Sequence, residues 1–312
     1  MIKALVIKNT GSWYVVRTDD GSIVNCKVKG KFRLNGLRCT NPVAVGDWVE
    51  IERRDDGTAL IVKICQRSNY IIRKSSNLSK EYQILASNLD AALLVVTLVN
   101  PLTSTTFIDR FLATACAYNV PVVLAFNKID LLAEDDDRQL LDMMCQLYES
   151  IGYDTLKLSS KTGEGMADLR SLLKDKTTLV SGNSGVGKTS IINSLVPGAC
   201  LRVGDVSDVH HTGMHTTTFS EMLDLPFGGA IIDTPGVKGF GTIDFKKSEV
   251  SHYFPEIFKT GKECRFGDCT HTHEPGCAVR AAVEKHYISE SRYASYLSIM
   301  EDEDEDKYRK AF

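Results

Sequence analysis

The segment Gly182-Asn183-Ser184-Gly185-Val186-Gly187-Lys188-Thr189 constrains this chain more than any other. It matches G-x-x-x-x-G-K-[ST], a pattern that needs a buried strand before it and a helix after it. Both patterns are present: 177–180 reads as a strand and 190–195 as an amphipathic helix. The glycines at 182, 185 and 187 let the backbone wrap round a phosphate chain with its N–H groups turned inward. The helix N-terminus, from Ser190 onward, adds a field that favours anions. Lys188 can reach the β- and γ-phosphates, and Thr189 can place its hydroxyl on Mg²⁺. The motif demands an α/β unit that holds a nucleotide, but it does not choose between ATP and GTP.

The base is chosen elsewhere. Asn127-Lys128-Ile129-Asp130 ends the apolar strand 121–126 and fits N-K-x-D. An Asp carboxylate accepts two hydrogen bonds, from N1–H and the 2-amino group of guanine. Adenine offers neither donor, so the carboxylate would be left unpaired at a cost of several kcal/mol at worst. Asn127 would tie this loop to the phosphate loop, and the stem of Lys128 would pack on the ring. Ser159-Ser160-Lys161 follows the next strand, 155–158, and is similar to the S-A-K loop whose backbone N–H meets the guanine carbonyl.

Two further segments have the places of γ-phosphate switches. Asp233-Thr234-Pro235-Gly236 ends the strand 230–233 and fits D-x-x-G, with Asp233 on Mg²⁺ through water and the Gly236 amide near the γ-phosphate. The loop 206–219 contains Gly213-Met214-His215-Thr216-Thr217-Thr218, in which Thr217, with Thr216 as its neighbour alternative, would close over Mg²⁺. Val237 stands where many GTPases carry a Gln that orients the attacking water. Chemistry would then rest on Lys188, Thr217 and another group. His215 is the internal candidate for activating or orienting water, a structural or partner contact being the equally weighted reading of that side chain.

The motif order is unusual. N-K-x-D comes first, then S-S-K, the phosphate loop and D-T-P-G, whereas a GTPase normally begins with the phosphate loop. All these loops follow strands of one sheet, so a chain rejoined elsewhere keeps the site intact. The last switch then runs straight into the C-terminal segment, on which loss of the γ-phosphate can pull.

The rest of the chain divides around this unit. Residues 1–66 read as five short strands, at 2–8, 12–17, 22–28, 47–53 and 59–65, which fit an OB-type barrel or another small barrel of SH3-like kind. Residues 1–40 hold Lys3, Lys8, Arg17, Lys27, Lys29, Lys31, Arg33 and Arg38 against Asp19 and Asp20, although net charge is −3 overall. That patch, with Trp13 and Tyr14 on opposite faces of a strand, could bind RNA, the alternative being one aromatic in the core and the cations as solvated surface. The polar, basic run 67–87 reads as a linker. Residues 88–241 alternate strands (91–99, 121–126) with helices (107–118, 135–151), which means a mainly parallel sheet covered on both faces. Residues 242–312 look helical and polar, and end in the acidic run 301–306.

The chain has nine cysteines, an odd number that argues against a disulfide framework. Cys264-x₄-Cys269-x-His271-x₅-Cys277 supplies the three thiolates and one imidazole of a closed, structural Zn²⁺ site. His273 is a nearby alternative ligand. No apolar run is long enough to span a bilayer, and 1–10 lacks the apolar core of a signal peptide. A cytoplasmic chain, not membrane-bound, is expected.

The barrel, the permuted loops, the segment 213–218 and the cysteine cluster together resemble the ribosome small-subunit-dependent GTPase A family, over nearly the full chain. The resemblance implies a multidomain protein: an N-terminal OB-type, RNA-binding barrel, a central circularly permuted P-loop GTPase and a C-terminal, mainly helical zinc-binding domain. It implies a cytoplasmic GTPase, expected to be a monomer, that binds the small ribosomal subunit and its rRNA. It would assist late maturation and hydrolyse GTP to GDP and phosphate under stimulation by that subunit. Cys264, Cys269, His271 and Cys277 fit the family's metal pattern, and Val237 agrees with its lack of a catalytic Gln.

Overall fold

The computed structural model describes residues 1–28, 42–74, 82–199, 206–207, 212–213, 220–234 and 245–301. The N-terminal strands are β1 (Ile2–Asn9), β2 (Tyr14–Thr18), β3 (Ile23–Val28), β4 (Trp48–Arg53) and β5 (Ala59–Ile64). Each buries alternate residues: Ala4 and Val6, Tyr14 and Val16, Val24 and Cys26, Val49 and Ile51, Ala59 and Ile61. This is the two-residue period of a strand with one face on a core. β1, β2 and β3 pair antiparallel, β3 runs parallel to β5, β5 pairs with β4, and β4 returns to β1. The closed order 1-2-3-5-4, with its parallel seam, is the OB-type Greek-key barrel.

The run 67–87 is not the plain linker that its composition suggested. It carries an antiparallel ribbon, β6 (Tyr70–Lys74) and β7 (Tyr82–Ser87). Ile71, Ile72, Ile84 and Leu85 are buried there, and four such residues are enough to seat a ribbon whose remaining residues are polar. The barrel is stitched to it through Asp47, which is fully buried. Asp47 accepts hydrogen bonds from Nε and Nη2 of Arg67, at 2.6 Å each, and from the Ser87 hydroxyl at 2.6 Å.

The next elements are β8 (Ala91–Val96), α1 (Thr105–Ala117), β9 (Val122–Phe126), α2 (Asp135–Ser150), β10 (Asp154–Lys157), α3 (Met166–Leu173), β11 (Thr177–Ser181) and α4 (Lys188–Leu195). They are followed by the two-residue strands β12 (Val206–Ser207) and β13 (Thr212–Gly213), then β14 (Glu221–Asp224) and β15 (Ala230–Asp233). The sheet order is β10-β9-β8-β11-β15-β14, all neighbours parallel except β14. Every residue of β8 and β9 is buried, because the two faces feed two cores. Ala92, Leu94, Val96, Leu124 and Phe126 face α1 and α2, while Leu93, Val95, Val123 and Ala125 face α3 and α4. The chain steps outward from β8 to β10 and then returns to β11 on the other side of β8. That reversal opens a crevice at the strands' C-terminal ends.

One row of residues crosses from this sheet into the barrel. Val180 pairs with Asp233, Asp233 with Glu221, and Glu221 with Lys8. Lys8 also donates to the Glu221 carboxylate at 2.9 Å, and Arg17 grips Asp224 through two nitrogens at 2.5 and 3.1 Å.

The C-terminal region holds α5 (Pro255–Gly261), α6 (Ala278–Glu284) and α7 (Glu290–Met300). Phe254, Ile257, Val279, Tyr296 and Ile299 form its core, with Ala113 of α1 inside the same cluster. Arg292, 1% exposed, donates to Asp109 of α1 at 2.7 Å and to Glu256 at 2.8 and 3.3 Å. Tyr148 of α2 donates to the same Asp109 oxygen at 3.0 Å. Among the described residues, no helix is long and apolar enough to cross a membrane.

Candidate functional site

The loop 182–187 leaves β11 and ends in α4, as the pattern required. A Cβ at Gly182 would lie 2.3 Å from the Val95 carbonyl oxygen, and one at Gly187 would lie 2.3 Å from Nδ2 of Asn127. Both positions have positive φ, 144° and 96°. Only glycine allows this close passage. Gly185, also at positive φ, completes the turn that carries Asn183, Ser184 and Val186.

Lys188 is 9% exposed and folds back over the loop, donating to the carbonyls of Gly182 at 2.8 Å and Asn183 at 2.7 Å. Burial pushes its pKa down to about 8, against the pull of the nearby Asp233 carboxylate. A buried ammonium held by carbonyl dipoles gains strongly from an anion. Thr189 and Ser190 lie in the first turn of α4, which begins at Lys188, so the N-terminal end of this helix faces the loop.

Asn127 joins the loops. Its Nδ2 donates to the Val186 carbonyl at 2.8 Å, and its Oδ1 accepts from the Ser160 amide at 3.3 Å. Phosphate loop, N-K-x-D and S-S-K are therefore held by one side chain, itself 3% exposed. Asp130 is exposed, and its Oδ1 accepts from the buried Ser159 hydroxyl at 2.7 Å. The Thr162 amide fixes that hydroxyl from behind at 3.1 Å. Ser159 thus positions the carboxylate, a role the S-A-K comparison did not bring out. Lys161 lies exposed in the same loop. Lys128 adopts a left-handed conformation, and its ammonium donates to the Asn100 carbonyl of the β8–α1 loop. Nothing in the sequence marked Asn100, since the contact is made by its backbone.

Asp233 ends β15, 3% exposed and beside the start of the phosphate loop in register with Val180. Thr234 donates to the Val180 carbonyl at 3.4 Å. His215, Thr216, Thr217, Gly236 and Val237 lie outside the described residues.

The second site is in the C-terminal region. The ligand atoms of Cys264, Cys269, His271 and Cys277 lie within 4.8 Å of one another. Sγ of Cys264 and of Cys277 are 3.9 Å apart, and each is 3.5–3.6 Å from Nδ1 of His271. Tetrahedral zinc, with Zn–S of about 2.3 Å and Zn–N of about 2.0 Å, sets its ligand atoms roughly 3.5–3.8 Å apart, so the group fits one Zn²⁺. Burial lowers the His271 pKa, which favours the neutral ring that a metal needs. His273 is not in the group: its Nδ1 is 2.8 Å from the Thr272 hydroxyl and its ring is exposed. The Glu274 carboxylate shapes the loop, accepting from the amides of Thr270 (2.7 Å), Thr272 (3.1 Å) and His273 (3.2 Å).

The basic patch of the barrel divides. Lys8 and Arg17 are used in the contacts with β14, and Lys29, Lys31, Arg33 and Arg38 lie outside the described residues. Tyr14 belongs to the core, 3% exposed. Trp13, 36% exposed, faces out under the Lys27 ammonium at 4.4 Å, and Lys3 lies 4.6 Å over Trp48.

Comparison with known proteins agrees with both halves of this arrangement. The sequence matches the RsgA N-terminal domain over residues 3–61 and the RsgA GTPase domain over residues 64–243. It is 60% identical to the small ribosomal subunit biogenesis GTPase RsgA of Bacteroides fragilis over 311 residues, covering 100% of each chain. It is 59% identical to the protein of that name from Porphyromonas gingivalis, with 99% of each chain covered. Among solved structures it resembles YjeQ from Thermotoga maritima, with a TM-score of 0.72, 33% identity and coverage of 96% and 97%. It also resembles YloQ, described as a circularly permuted GTPase, with a TM-score of 0.70, 29% identity and coverage of 100% and 97%. Matched along its whole length by relatives of one name, and by the models of both domains, the chain belongs to the RsgA family of GTPases.

Proposed function

We propose that this chain binds the small ribosomal subunit late in its maturation and hydrolyses GTP when that subunit engages it. It is a GTP-hydrolysing enzyme of small-subunit biogenesis, as its family is. The observation that carries the detailed reading is Asn127, which bridges Val186 and Ser160 and so joins the phosphate and base loops.

In this reading Asp130, held by Ser159, accepts from N1–H and the 2-amino group of guanine. Asn127, Lys128, Ser160 and Lys161 line the base, and the loop from Gly182 to Ser190 wraps the phosphates. Mg²⁺, when bound, would neutralise charge on the β- and γ-phosphates, and Thr189, Thr217 and Asp233 would hold it. Water adds to the γ-phosphorus as the bond to the β–γ bridging oxygen breaks, giving GDP and phosphate. Lys188 stabilises the charge that spreads over the phosphoryl oxygens. His215 or a residue of the partner orients the water, because Val237 carries no polar group to do so. The Gly236 amide is the contact with the γ-phosphate.

We also infer that the flanking parts hold rRNA. The barrel (1–66) offers Trp13 under Lys27. The zinc-binding helical region (242–312) offers Phe258 and Phe266, about 40% exposed, with Lys262 and Arg265 over their rings. Exposed rings paired with cations suit stacked bases and phosphates. We propose further that the chain acts as a monomer, in the cytoplasm where the subunit is assembled.

The test is GTP turnover of the purified chain alone, with small subunits and with large subunits. Stimulation by the small subunit only is the expected result, and equal turnover in all three removes the subunit from the reading. Asp130→Asn tests the base assignment. An Asn amide can donate to the 2-oxo group of xanthine, so preference should pass from GTP to XTP. Unchanged GTP affinity in that variant would overturn the assignment.

A further inference from the structure

Helix α2 has two apolar stripes and the fold uses one. Leu141, Cys145 and Tyr148 are buried in the sheet core. Leu140, Met143, Met144 and Leu147 form a second stripe at i, i+3, i+4 and i+7, the spacing of one helix face. Met144 touches the core edge. Leu140 is 43% exposed and Met143 59%, and Leu131, in the turn leading to the helix, is 41% exposed.

The helix that carries this stripe is predominantly acidic. Residues 134–150 carry Glu134, Asp135, Asp136, Asp137, Asp142 and Glu149 against Arg138 alone. The three aspartates of the first turn complement the helix dipole, which explains their place but not the exposed Leu and Met beside them. Lys157 pairs with Asp142 and leaves the other acids uncompensated by it.

We propose that the outer stripe of α2, centred on Leu140 and Met143, docks a basic segment of a small-subunit protein. Two observations select the occupant. Asp136 and Asp137, beside the N-terminal end of the stripe by helical spacing, repel phosphate, so RNA is disfavoured here, in contrast to the Lys-capped tryptophans of the barrel. A Leu/Met stripe offers apolar anchors that adapt in shape, as protein-docking surfaces do, and the acids of the same helix complement Lys and Arg. That the segment belongs to the small subunit rests on the proposed function; the surface itself does not.

The test uses the full chain and purified small subunits. Leu140→Glu with Met143→Glu should weaken subunit binding roughly tenfold or more, with GTP affinity and thermal midpoint unchanged. Leu140→Met with Met143→Leu should bind as the parent does. A photo-crosslinking residue at position 140 should join a subunit protein through a Lys/Arg-rich segment. Unaltered binding by the double Glu variant, or crosslinks to rRNA, to a second copy of the chain or to nothing, would overturn the proposal. If the parent itself does not bind the subunit, the functional reading falls and this inference falls with it.

Discussion

Lys188, which the proposed nucleotide site sets against the phosphates, is depressed in pKa before any nucleotide is bound. Its free-state pKa, pushed down to about 8 by burial, lies within easy reach of experiment. Phosphate beside the ammonium favours the charged form, so binding takes up a proton wherever the free side chain is neutral. Affinity should therefore be full below about pH 7 and fall as pH rises through about 8, by up to tenfold per unit. Titration with a fluorescent GDP analogue between about pH 6.5 and 9 measures this. Lys188→Arg, which keeps its charge, should flatten the profile. A parent profile that is already flat would place the proton elsewhere. Glu274 does comparable work at the metal site. Burial alone would raise its pKa, yet bonds from Thr270 and from the His273 amide hold it well below the usual carboxylate range. Glu274→Gln keeps the shape and loses the charge. Zinc transfer to a chelator should be roughly tenfold faster in that variant, read by absorbance of the chelator complex.

The loop 182–187 shows why some elements can be read from residues and others cannot. A glycine at 187 is legible because the phosphate pattern demands it, and the contact behind the demand is Asn127. Gly187→Ala would drive a methyl into that amide. It should cut GTP affinity by more than tenfold, with the circular dichroism of the fold retained. Retained affinity would show that the Asn127 bridge is dispensable. β8 and β9 were legible for a related reason: burial on both faces leaves an unbroken apolar run. The ribbon β6–β7 was not, since a short pair of strands needs few apolar residues and its partner, Asp47, is distant in sequence. Charge was harder still. Composition counts Lys8 and Arg17 with the RNA-facing cations, but pairing with Glu221 and Asp224 is settled only by where β14 lies. The Lys128 contact with Asn100 is made through a carbonyl, which every residue has, so no side-chain pattern reports it.

At the scale of the molecule, the C-terminal region is anchored on α1. Arg292 ties α7 and α5 to α1 through Asp109, and Arg110 donates to the Ser298 carbonyl at 2.9 Å. Arg292→Met strands the buried Asp109 carboxylate and the partly buried Glu256 carboxylate and should cost about 3–5 kcal/mol. Calorimetry should show a lowered midpoint or a separate early transition of the zinc-binding region. Adding Asp109→Asn and Glu256→Gln should recover part of the loss, and no change in either variant would mean that packing alone holds the two parts. The barrel is attached differently, through the row Val180, Asp233, Glu221, Lys8. Adjacent strands lie about 4.8 Å apart, so Lys8 sits roughly 10 Å from the carboxylate assigned to Mg²⁺. If filling either the barrel's proposed RNA surface or the nucleotide site shifts this row, the two are not filled independently. By linkage, any factor by which GTP tightens the barrel's grip on RNA is also the factor by which that RNA tightens GTP. An RNA fragment binding the isolated chain would then act as a nucleotide-retention factor, slowing GTP release before any phosphate is lost.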